Sequence, residues 1–87
     1  DVLLPHPEND LSLNIMVLGS DVIFLLRKND KFVLAETILG EFLKQDTRRS
    51  PDNFFDALTF LYATGLIEYE GYKIRLKKHD YTQPTLF

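Results

Sequence analysis

The chain has 87 residues, carries a net charge of −3, is 45% hydrophobic and contains no cysteine. That length allows one domain, near the lower limit at which a single core is stable alone; the missing cysteine excludes disulfide frameworks, thiolate metal sites and thiol nucleophiles, and two histidines are too few for a histidine metal cage. No apolar run approaches the ~18 to 20 residues that a membrane span needs, and the first residues lack a basic flank and an apolar signal core, so no membrane association and a reducing cytoplasm are expected.

Along the chain, Val2, Leu3 and Leu4 precede Pro5 and Pro7, which hold the backbone extended, so residues 1–10 read as an arm laid over a surface, the alternative being a frayed terminus. A domain spanning residues 11–78 follows, with a tail at residues 79–87 that has no periodicity. Asp10 or Ser12 can cap a first helix running to about Lys28, with Ile15, Leu18, Val22, Leu25 and Leu26 on one stripe. Met16, Val17, Ile23 and Phe24 spill beyond that stripe, as in a helix buried nearly all round. Gly19 in its middle marks either a close helix crossing or simple tolerance of a costly residue.

Asn29-Asp30-Lys31 forms a turn, Phe32-Val33 a one-bridge strand, and Ala35 to Lys44 a second helix with Ile38, Leu39 and Phe42 inward. Ser50-Pro51-Asp52 then supplies an N-cap, a proline at the first helical position and an acid in the first turn, so a third helix starts there. Its inward face is Phe54, Ala57, Leu58 and Leu61, and Gly65 ends it. Ile67 and Tyr69 alternate with Glu68 and Glu70, Gly71-Tyr72 turns the chain, and Tyr72, Ile74 and Leu76 alternate with Lys73, Arg75 and Lys77. That alternation predicts a hairpin with one face on the helices and acids facing bases on the other. The expected fold is α+β: a winged-helix domain of three helices followed by a β-hairpin wing.

The functional signals lie in the surfaces. Seven Phe and four Tyr are generous for so small an interior, so part of the apolar surface is expected to meet a partner. In a winged-helix protein the third helix would enter a DNA groove, yet here it carries Asp52, Asn53, Asp56 and Thr59 and no Arg, Lys or Gln to reach a base edge. Bases that could neutralise phosphates are confined to Arg48 and Arg49 before that helix and Lys73, Arg75 and Lys77 on the wing, which are the candidates for nucleic-acid contact. Alternating cations on a strand also pair with Glu68 and Glu70 and discourage edge-to-edge aggregation. The carboxylate pairs Glu68/Glu70 and Asp52/Asp56 have no nucleophile or histidine gathered beside them, so an enzyme is not expected, and neither is a cofactor or metal site.

Taken together, Val2-Leu3-Leu4-Pro5, the apolar first helix, and the block Ala57-Leu58-Thr59-Phe60-Leu61-Tyr62-Ala63-Thr64-Gly65-Leu66-Ile67-Glu68 resemble the small middle components of bacterial ABC-three component systems. The resemblance implies a non-enzymatic winged-helix adaptor subunit that assembles with an SMC/Rad50-like ATPase, and with an effector, in anti-phage or anti-plasmid defence. The ATP chemistry would reside in the partner, because this chain has no phosphate-binding loop. The expected protein interface comprises Val2, Leu3, Leu4, Met16, Phe24, Phe55, Phe60 and Tyr62. Homo-oligomers and a DNA contact made within the complex are compatible with it. The alternative is a small DNA-binding regulator acting through the basic wing.

Overall fold

The computed structural model describes residues 14–78. The arm with Val2, Leu3 and Leu4, the capping candidates Asp10 and Ser12, and the tail lie outside the described residues. Among the described residues three helices and three strands occur in the order α1 (Ile15–Leu26), β1 (Val33–Leu34), α2 (Ala35–Lys44), α3 (Pro51–Ala63), β2 (Ile67–Glu70), β3 (Lys73–Leu76). The strands form one antiparallel sheet in the order β1-β3-β2. Helices followed by a small antiparallel sheet make an α+β fold in the winged-helix arrangement.

Local chemistry explains the boundaries. Asn14 is the N-cap of α1, its side chain accepting a bond from the Met16 N–H at 2.8 Å. Ser50 and Asn53 form a reciprocal capping box at the start of α3, with Pro51 at its first position. At the other end of α3, the Leu66 N–H donates to the Leu61 carbonyl at 2.9 Å and the Gly65 N–H to the Tyr62 carbonyl at 3.0 Å. That pair is the Schellman closure, and it needs Gly65 at φ +80°. The first strand lies one residue later than expected, at Val33–Leu34, because Val33 faces Ile74 and Leu34 faces Lys73 across the sheet.

The core is built from one face of each helix and the inner face of the sheet: Leu18, Val22, Leu25 and Leu26 of α1, Ile38 and Phe42 of α2, Phe54, Ala57, Leu58 and Leu61 of α3, with Ile67 and Ile74. The rings of Phe42 and Phe54 meet at 5.4 Å between centroids, tilted by 56°. Gly19 sits where α1 crosses α3, and a Cβ there would stand 3.4 Å from Leu61 Cδ2 and 3.5 Å from Phe60 Cδ2. Those are ordinary contact distances, so Gly19 lies in the helix crossing but a methyl group would fit there without displacing α3. Helix α1 is not buried all round within this domain: Met16 and Phe24 are exposed on its outer side.

The hairpin departs from the expected alternation at one point. Glu70 faces Lys73 in the register, so the connection has two residues, with Gly71 at φ +62° in its first position. Tyr72 consequently belongs to the turn rather than to the inward face, and is 88% exposed. Glu68 and Arg75 stand opposite each other and form an ion pair at 2.7 Å, as the pairing of acids with bases predicts.

Candidate protein-binding surface

Helix α3 is packed against the core through Phe54, Ala57, Leu58 and Leu61, which turns Phe55, Thr59 and Tyr62 outward with Asp52 and Asp56. Phe55 and Tyr62 are seven residues apart, two turns along the same side of the helix, and they are 51% and 57% exposed. The Thr59 hydroxyl is engaged locally, donating to the Phe55 carbonyl at 2.9 Å. Phe60, grouped with them in the sequence, is instead half-buried against the core beside Gly19. Met16 and Phe24 form a separate exposed stripe on α1, where the Lys28 ammonium lies 5.7 Å from the Phe24 ring centroid.

Beside the α3 aromatics is a feature that the sequence reading missed. The start of α2, the first half of α3 and the hairpin tip enclose an open apolar groove of about 360 Å³, lined among others by Leu34, Leu39, Phe55, Leu58, Tyr69 and Tyr72. Phe55 belongs both to the groove and to the outward face of α3. Tyr69 extends the aromatic surface further, its ring lying 4.9 Å from that of Tyr62. Burial of Tyr69, and then the neighbouring Tyr62, raise the Tyr69 hydroxyl above the usual tyrosine pKa. Tyr72 was expected on the packed face of the hairpin, whereas Tyr69 does share the face of Ile67 and stands opposite the buried Ile74, at the open edge of that face. The available signal was the turn: a two-residue loop at Gly71-Tyr72 places Tyr72 at the tip.

The basic candidates are not one patch. Arg48 donates to Asp46 through Nε and Nη2 at 3.2 and 3.0 Å. Its side-chain and backbone hydrogen bonds hold the Asp46 carboxyl below the usual aspartate pKa. Arg49, expected at a nucleic-acid contact, is turned inward with only 4% of its side chain exposed. It pairs with Asp21 of α1, donates to the Phe42 carbonyl at 3.1 Å and to Gln45 at 2.8 Å, and lies over the Phe42 ring at 4.3 Å. Arg49 thus ties α1 and α2 to the loop before α3 and cannot reach a phosphate from this position. Arg75 pairs with Glu68 and lies over the Phe32 ring at 4.3 Å. Lys73 and Lys77 are exposed, with Lys73 opposite Glu70.

Among the described residues no group of three or more acids or histidines is placed to hold a metal ion, and no helix is long and apolar enough to cross a membrane. Comparison of the chain with protein-family models, with curated proteins and with solved structures finds no match.

Proposed function

We propose that the protein is a non-enzymatic adaptor subunit that joins a larger assembly through the outward aromatic surface of α3, the partner being an SMC/Rad50-like ATPase of a bacterial defence complex. The observation that supports this reading best is the composition of α3: the helix that would face DNA presents Phe55 and Tyr62 with Asp52 and Asp56, and no cation. Duplex binding draws its affinity from cations set against phosphates, and two acids in the same place oppose it. Large aromatic side chains that are half in water are suited to fill pockets on a protein. The nature of the partner rests on the resemblance of the opening aliphatics, the first helix and the helix-glycine-strand block.

The test is recovery of the native complex with mass spectrometry, repeated with the double variant Phe55→Ser/Tyr62→Ser. An ATPase of that type is expected to co-purify with the unaltered chain and to be lost with the variant, whose circular dichroism remains that of the folded domain. Salt-sensitive, sequence-selective duplex binding by the isolated chain, abolished by reversing Lys73 and Lys77, would replace the adaptor reading with that of a regulator.

A further inference from the structure

The bases of this chain divide by what they touch. Arg48, Arg49 and Arg75 are held by Asp46, Asp21 and Glu68. Of the other seven, five stand at one end of the domain: Arg27 and Lys28 where α1 stops, Lys31 in the connection to β1, and Lys77 and Lys78 beyond β3. Arg27, Lys77 and Lys78 line one depression of about 230 Å³ with Asn29, Asp30 and Leu76, so the two stretches meet in space. All five bases are exposed, and among the described residues none of them is in an ion pair. Asp30 is the one acid lining the depression, in a chain of 13 acids and 10 bases with a net charge of −3.

Local duties do not account for the whole group. Arg27 and Lys28 oppose the negative end of the α1 dipole, and the Lys28 ammonium lies over Phe24. Lys31, Lys77 and Lys78 lie on no helix, and the residue beside Lys77 across the hairpin is Leu66, whose carbonyl accepts from the Lys77 N–H at 2.9 Å. The composition also narrows the partner. Protein interfaces are anchored by buried aromatics and arginine and are depleted in lysine. Here four of the five bases are lysine, and Leu76 is the one apolar residue in the lining. Ammonium point charges suit phosphate oxygens spaced along a backbone, where each neutralised phosphate releases counterions. Such contacts fix position without reading bases.

We propose that this end of the domain contacts the phosphodiester backbone of a nucleic acid duplex, through Arg27, Lys28, Lys31, Lys77 and Lys78 and without regard to sequence. The contact lies at the end of β3 away from the hairpin tip. It uses neither α3, whose acids repel a duplex, nor Phe55 and Tyr62. The inference therefore goes beyond the adaptor reading and leaves the aromatic surface to the partner protein.

Fluorescence anisotropy with the full chain and labelled duplexes of DNA and of RNA, each in several unrelated sequences, tests it. Affinity should be alike for all sequences of one kind and should fall about a hundredfold between ~50 and ~200 mM salt, as ~4 phosphate contacts require. Binding of either duplex in this way supports the inference, and the tighter of the two names the nucleic acid. Lys31→Gln/Lys78→Gln should weaken binding roughly tenfold at low salt and make the salt slope shallower by about 2. Lys44→Gln/Lys73→Gln removes the same charge elsewhere and should leave that slope unchanged, with circular dichroism showing both variants folded. Equal weakening by the two double variants would overturn the inference, and so would tighter binding to polyglutamate or to phosphatidylserine–phosphatidylcholine vesicles than to either duplex. Absence of duplex binding at ~50 mM salt, while the native complex still forms through Phe55 and Tyr62, would overturn it and leave the adaptor reading standing. Sequence-indifferent duplex binding with no native protein partner would do the reverse.

Discussion

Replacing Arg49 with alanine tests whether this residue belongs to the core or to a binding surface. The guanidinium is almost wholly enclosed, and alanine removes its bond to Asp21, two further hydrogen bonds, the stacking on Phe42 and the packing of its aliphatic stem. Removing one partner of a fully buried ion pair costs ~3 to 5 kcal/mol, but the carboxylate of Asp21 is 37% exposed and regains water when Arg49 is gone, so the ionic part is discounted. A hydrogen bond to a carbonyl contributes ~1 kcal/mol and the ring contact about as much. The expected loss is therefore on the order of 3 kcal/mol. An 87-residue domain has a total stability of ~4 to 13 kcal/mol at ordinary values per residue, so the variant still folds in the cold but melts far earlier. Arg49→Lys should recover little, because one ammonium cannot serve Asp21, the Phe42 carbonyl and Gln45 from a planar fork. Urea unfolding followed by circular dichroism gives the number, and the cycle with Asp21→Ala isolates the pair. A loss below ~1 kcal/mol with an unchanged urea slope would refute the assignment of Arg49 to the structural framework.

Gly40 lies in the middle of α2 with open space where a Cβ would be, so Gly40→Ala should stabilise by ~1 kcal/mol through helix propensity and raise the melting temperature by ~4 to 8 °C. At Gly19 the neighbour stands at contact distance, so Gly19→Leu should push α1 off α3 and destabilise, as a thermal melt would show. The Asp46 carboxyl is held below its ordinary pKa by Arg48, so its contribution is present above the ordinary value and lost as pH falls through the lowered one; NMR titration of Arg48→Ala should return Asp46 toward the usual range. Leu34→Ser should be more stable than Leu34→Ala by ~1 kcal/mol, since serine can cap α2, and equal stability in the melt would deny Leu34 its capping position.

The start and end of α3 were legible because their signals are local: Ser50-Pro51-Asp52 at one end and Gly65 at the other each act within a turn of the chain. The start of α1 was not: Asp10 or Ser12 was expected to cap it, whereas the cap is Asn14, because several polar residues in a row can each cap a helix and only the packing of the apolar stripe decides where it begins. Arg49 could not be read correctly, because its ion-pair partner Asp21 is 28 positions away and no periodicity connects them. The groove was invisible for the same reason, being assembled from α2, α3 and the hairpin tip. What the sequence did contain was the excess of aromatics over interior.

That excess acquires meaning from where it is placed. An exposed Phe or Tyr standing alone needs no explanation, since much of any protein's surface is apolar. Here Phe55, Tyr62, Tyr69 and Tyr72 come from α3 and the hairpin tip, and the groove and the stacked tyrosines bring them side by side. Every one of them is exposed although the domain's interior is already filled by Phe42, Phe54 and the aliphatics around them. Neither local backbone preference nor core packing asks for Leu34 at a helix cap or Tyr72 in a turn, and both would be served by smaller polar residues.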